Sequence, residues 1–137
     1  MAFNVQYSVA QRNAAISTLS TTVGASGVAK LFTGTQPANC AAADSGTLLA
    51  SWTFTATFAG AASSGQVTVN NPAVPGSTAV ATGVAGYFRI YQTGATVCVM
   101  QGTAGLTSGF DWNLTNTNIS SGQTVTFSSM TVNTANA

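Results

Sequence analysis

The sequence predicts an all-β domain, a jelly roll or β-sandwich of about seven to eight short strands with one N-terminal helix. Three features carry that reading. Apolar residues alternate with polar ones at period two through much of the chain. Gly, Ser and Asn clusters interrupt these runs at short intervals. Only one segment, near the N-terminus, has helical spacing.

That segment covers residues 8–22. Val9, Ile16, Leu19 and Val23 fall on one helical face, Ala14 and Ala15 favour helix, and Ser8 is a suitable N-cap. Gly24 and Gly27 end it. Residues 1–7 read as an extended arm, and residues 8–137 as a single β-rich domain carrying the helix.

Residues 28–33 form the first strand, followed by a turn-rich loop over residues 34–46. The strongest strand is 48–58. Leu48, Ala50, Trp52, Phe54, Ala56 and Phe58 alternate with Leu49, Ser51, Thr53, Thr55 and Thr57, giving one apolar and one mainly hydroxylated face. Val67 and Val69 alternate in residues 66–70, and Pro72 and Pro75 then mark a loop. Residues 85–93 and 96–101 read as a hairpin about Thr93-Gly94. Phe110, Trp112 and Leu114 share a period-two run. The last strand, 123–132, changes phase near Ser128 and Ser129, which suggests a β-bulge.

Composition bounds the chemistry. Of 137 residues only 4% are charged, against about 25% in an average soluble domain. The set is Arg12, Lys30, Arg89, Asp44 and Asp111; there is no His and no Glu. A His-based triad is therefore excluded, and strong metal ligands are reduced to two Asp and two Cys. Asp44, before Ser-Gly, suits a side-chain-stabilised turn better than acid catalysis. No GxxxxGK[ST] loop is present. Asn-x-Ser/Thr matches at Asn113 and Asn118 are expected by chance in an Asn- and Thr-rich chain. No enzymatic activity, metal or cofactor is expected.

Three scattered cations make no basic stripe, so no nucleic-acid partner is expected. Without a run of about 18 apolar residues, no membrane span is expected either. Residues 1–13 lack the charged and apolar regions of a signal peptide, so the protein is expected to be made and held in the cytosol. Cys40 and Cys98 are expected to be free, partly buried thiols there. A disulfide formed after release to an oxidising medium is the alternative.

Tyr87, Arg89 and Tyr91 share one strand face, opposite Phe88 and Ile90. They are a candidate interface, because Tyr and Arg are enriched at hot spots; an ordinary polar sheet face is the other reading. Trp52, Trp112, Tyr87 and Tyr91 offer a candidate sugar-binding face, although Trp52 on the apolar side of its strand suits a core role better.

The stretches Asn13-Ala14-Ala15, Lys30-Leu31-Phe32-Thr33-Gly34-Thr35-Gln36-Pro37-Ala38, Gly46-Thr47-Leu48-Leu49-Ala50 and Ala85-Gly86-Tyr87-Phe88-Arg89-Ile90, in this order, resemble capsid cement or decoration proteins of tailed bacteriophages. The likeness is to that of the short-tailed Bordetella phage group. It implies a jelly-roll-like fold, a homodimer, and binding to the major capsid protein on the outer face of the capsid. It supplies no catalytic or contact residue. A tail or baseplate component of a virion and a carbohydrate-binding module are the alternatives.

Overall fold

The computed structural model describes residues 5–55, 57–72 and 74–134. Ala56, expected on an apolar strand face, and residues 1–4 of the expected arm lie outside them. The described chain is mostly β with a single helix. Its elements are α1 (Val9–Val23), β1 (Val28–Thr33), β2 (Leu48–Thr53), β3 (Gln66–Thr68), β4 (Gly76–Thr78) and β5 (Gly83–Tyr91). There follow β6 (Cys98–Gly105), β7 (Trp112–Asn113), β8 (Asn118–Ile119), β9 (Thr124–Thr126) and β10 (Thr131–Asn133).

Local rules set the helix ends. The Ser8 hydroxyl accepts from the Gln11 amide at 3.2 Å, satisfying one of the open N–H groups of the first turn. At the other end Gly24 adopts φ +79° and donates its N–H to Ser20 O at 3.0 Å. Ile16 and Val23 are buried, but Val9 is 49% exposed. The apolar stripe therefore meets the core only in its C-terminal part. Polar side chains dock the helix elsewhere: Asn13 Oδ1 accepts from the Gly65 amide at 2.7 Å, and Ser20 Oγ from the Ala59 amide at 3.1 Å.

The main sheet runs β2-β1-β5-β6-β7, curled and antiparallel except where β7 joins β6 in parallel. β8 pairs with the start of β5, through Gly83 and Ile119. Two further ribbons, β3–β10 and β4–β9, are each antiparallel. The hairpin expected from residues 85–101 is β5–β6.

Two expectations change. Strand 48–58 keeps its pairing only to Thr53, and Leu49, expected on the hydroxylated face, is fully buried. The register shift explains it: Leu31 faces Ala50 and Phe32 faces Leu48, so Leu49 is the extra residue of a bulge and turns inward. Strand 123–132 is not bulged but divided. β9 pairs with β4, whereas β10 pairs with β3, and the phase change at Ser128 and Ser129 is the crossing between ribbons. Ten strands among the described residues replace the expected seven to eight because the 123–132 run divides in two, and β4 and β8, with three and two residues, are too short to show a period.

The core is an aromatic cluster. Trp52 meets Trp112 edge-on at 5.3 Å and Phe127 at 5.8 Å, and Phe54 meets Phe58 at 4.9 Å and Phe127 at 5.4 Å. Edge-to-face contacts of this kind add about 0.5–1.5 kcal/mol each beyond burial. Both indole N–H groups are satisfied, Trp52 by Pro75 O and Trp112 by Ser128, each at 3.0 Å. Trp52→Ala should therefore cost about 3–5 kcal/mol, read as a lower midpoint in denaturant unfolding.

Candidate functional site

The expected Tyr87-Arg89-Tyr91 stripe is not a surface. All three side chains are buried, Arg89 to 2% exposure. Because β5 lies in the middle of the sheet, one of its faces, with Phe88 and Ile90, packs on the aromatic core. The other, with Tyr87, Arg89 and Tyr91, is roofed by the 34–46 loop. Buried in this way, the three side chains offer no exposed interface in this chain.

Arg89 organises the roof. Its Nη1 donates to Ala42 O and Asp44 Oδ1, both at 2.8 Å, and Nη2 donates to Asn39 O at 3.0 Å. Its Nε donates to Gln101 Oε1 at 3.1 Å, and the Gln101 amide reaches Pro37 O at 2.6 Å. A planar guanidinium with five donors can satisfy several loop carbonyls at once, which an ammonium cannot. Tyr91 OH donates to Asp44 Oδ1, and Tyr87 OH donates to Ser45 O. Tyr87 also stacks on Phe32, with centroids 5.0 Å apart. Asp44, expected to serve its own turn, instead accepts from two side chains of β5.

The loop is shaped for this contact. Asn39 Oδ1 caps the amides of Ala41 and Ala42 at 3.0 Å, an Asx turn that aims the carbonyls of Asn39 and Ala42 at Arg89. Gly46 returns the chain at φ +71°, where a Cβ would lie 2.2 Å from Thr33 O; only glycine fits.

Cys40 and Cys98 form a disulfide, with Cα atoms 5.2 Å apart. The expectation of free thiols is thus corrected. The roof lays Cys40 against the start of β6, a proximity that a separation of 58 residues conceals in the sequence. Closing a loop of that length stabilises the fold by about 4 kcal/mol in the chain-entropy account.

Gln101 was missed because a single Gln in a strand carries no signal. The length of the structureless 34–46 segment was the available hint, since loops that long are uncommon in compact domains without a role.

Two of the remaining charges have local partners, whereas Arg12 Nε is buried without a hydrogen-bond partner among the described residues. The Lys30 ammonium sits 4.3 Å from the Tyr91 ring centroid, and Asp111 Oδ2 accepts from the Thr103 amide and hydroxyl, both at 2.8 Å. Trp52, Trp112, Tyr87 and Tyr91, the candidate sugar-binding aromatics, are all buried, so they present no platform for a ring. Among the described residues no three His, Cys, Asp or Glu side chains converge, and no helix is long and apolar enough to cross a membrane.

Two surface features stand out from this neutral exterior. Val5, Tyr7 and Val9 are 67%, 60% and 49% exposed at the start of the chain. A groove of about 560 Å³ separates β6 from β10, lined by Leu19, Met100, Gln101, Phe110, Met130 and β10 itself. No protein-family model, curated protein sequence or solved structure matches the chain.

Arg89→Met keeps the side-chain stem but leaves loop carbonyls and Asp44 without their donor. A loss of about 1–3 kcal/mol is expected, because Asp44, at 37% exposure, can exchange its partner for water, with faster proteolysis within residues 34–46. The Tyr91 hydroxyl is pushed up to about 12, first by burial and then by its bond to Asp44. Its folded value lies above the ordinary 10.0, so the stability it contributes is complete below pH 10 and lost as pH rises toward 12. Alkaline unfolding should track tyrosinate absorbance in that window. Tyr91→Phe should flatten this part of the pH dependence.

Proposed function

We propose that this chain is a non-enzymatic structural protein of a tailed-bacteriophage virion. In this reading it is a cement or decoration protein that binds the major capsid protein on the outer face of the lattice. The observation that carries the reading is where the charges lie. Buried Arg89 is neutralised by Asp44 of the roof, which is 37% exposed, Lys30 lies on Tyr91, and Asp111 is held by Thr103, leaving Arg12 as the one charge without such a partner among the described residues. What faces outward is mainly hydroxyl, amide and short apolar side chains. Such a surface lets many copies pack closely without mutual repulsion.

The cross-linked roof fits the same role. A disulfide suits a particle that persists in an oxidising medium after synthesis in the bacterial cytoplasm. The two ribbons, set across the aromatic core from the main sheet, would form the second layer of a jelly-roll-like sandwich. The protein is also read as a homodimer, with no nucleic acid or membrane among its partners.

Stained gels of purified virions test this directly. A band approaching stoichiometry with the shell subunit is the expected result; a few copies per particle would indicate a tail or baseplate component, and absence would refute the reading. With so few charges, attachment rests on apolar burial and neutral hydrogen bonds. Washing in 1 M NaCl, where the Debye length is about 3 Å, should leave the band on the particle. Urea should strip it.

A further inference from the structure

We propose that the Cys40–Cys98 disulfide is a redox latch on the 34–46 roof: with the bond formed the roof is held shut, and as a dithiol it swings open and uncovers Arg89. The inference concerns this chain alone and does not depend on the virion reading.

The roof is built as a lid. It connects the paired neighbours β1 and β2, and its neck is closed without any help from the disulfide. The Thr33 amide donates to Thr47 O at 3.0 Å, and the Thr47 amide donates to Thr33 Oγ1 at 2.8 Å. A surface loop whose ends meet in this way can move as a unit while the sheet behind it stays paired. Glycines stand at both ends, Gly34 at φ +80° and Gly46 at φ +71°. Cys40 is the midpoint of these thirteen residues, the place farthest from both hinges. Its bond to Cys98 fastens the free end of the lid to β6.

Every other closing contact is polar. No residue of 34–46 is buried, and none belongs to the aromatic core. The contacts are the Arg89 fork, Gln101 to Pro37 O, Tyr91 to Asp44 and Tyr87 to Ser45. Each replaces a bond to water, so its net contribution is small, whereas closing orders thirteen residues that have no secondary structure of their own. Closure also leaves Gln36 Oε1 buried without a hydrogen-bond partner among the described residues. A segment held in this way opens far more readily than the core unfolds, and the covalent bond decides its state. Cys40 and Cys98 are only partly buried, so a small thiol or disulfide can reach them.

Locking is thiol–disulfide exchange with a low-molecular-weight disulfide. One cysteine thiolate attacks it, forming a mixed disulfide and releasing one small thiol. The other cysteine then attacks the protein sulfur of that mixed disulfide and expels the second small thiol. The protein pair loses two electrons, the small disulfide gains them, and the cysteine protons leave on the released thiols. A reducing dithiol runs the steps backwards. The lid is thus open where thiols are kept reduced and shut in an oxidising medium.

Two measurements test the latch on the full chain. Arginine labelling by phenylglyoxal compares the oxidised protein with a Cys40→Ser, Cys98→Ser double variant, which has no thiol to consume the reagent. Arg12, partly exposed, is the internal reference. Hydrogen exchange is read at the Ser45 amide, which donates to Tyr87 OH at 3.0 Å across the closed lid. It is followed in the oxidised protein, after reduction by dithiothreitol, and after reoxidation by oxidised glutathione. We expect Arg89 labelling and Ser45 exchange to be at least tenfold faster without the bond, with the amides of β1 and β5 unchanged and protection restored on reoxidation. Equal protection of Arg89 and Ser45 with and without the bond overturns the inference, since polar contacts alone would then hold the roof. Loss of β5 protection together with that of the roof also overturns it, because the disulfide would then staple the whole fold. Virion stoichiometry tests the capsid assignment separately.

Discussion

A guanidinium taken out of water must find partners for its donors, and that requirement at Arg89 organises one whole side of this protein. Arg89 sits at the centre of the sheet with 2% of its side chain exposed. Among the described residues no strand layer lies over it, and the 34–46 loop supplies the acceptors instead: two backbone carbonyls and the Asp44 carboxylate. The fork fixes the loop; the fixed loop then brings Cys40 to Cys98, Ser45 to Tyr87 and Pro37 to Gln101. The disulfide and the guanidinium act on one segment by different routes. One limits the unfolded chain, and the other satisfies groups in the folded one.

The two faces of the sheet are consequently held by different physics. Beneath it, Trp52, Trp112, Phe54, Phe58, Phe88 and Phe127 pack through edge-on ring contacts, and their burial drives folding. Above it, a polar layer is stable only as a complete set, since one missing donor strands several buried acceptors. The apolar side tolerates small changes in shape; the polar side tolerates few changes in identity.

This division also shapes the exterior. Of the five charged side chains Arg89 is buried, and Asp44, at 37% exposure on the roof, is paired with it, while local partners engage Lys30 and Asp111. The result is a surface defined by hydroxyls, amides and strand edges rather than by charge. Recognition by such a surface works through main-chain hydrogen bonds and apolar contact over a broad footprint.

Much of the scaffold was legible in the residues. Ser8 and Gly24 bracket the helix because capping is local chemistry, and β1, the β5–β6 hairpin and the core position of Trp52 follow from alternation over many residues. Alternation also put Tyr87, Arg89 and Tyr91 on one face. It could not say what covers that face, because period two distinguishes sides of a strand and not their surroundings. The bulge that buries Leu49 depends on its pairing with β1, and the division of β9 from β10 depends on two separate partner strands. The Cys40–Cys98 bond depends on a loop position set by Arg89. Sequence thus determined the helix, β1, the β5–β6 hairpin and how few charges the surface can hold. Tertiary structure alone decided which polar residues are buried, because burial and pairing are made by parts of the chain that local order does not bring together.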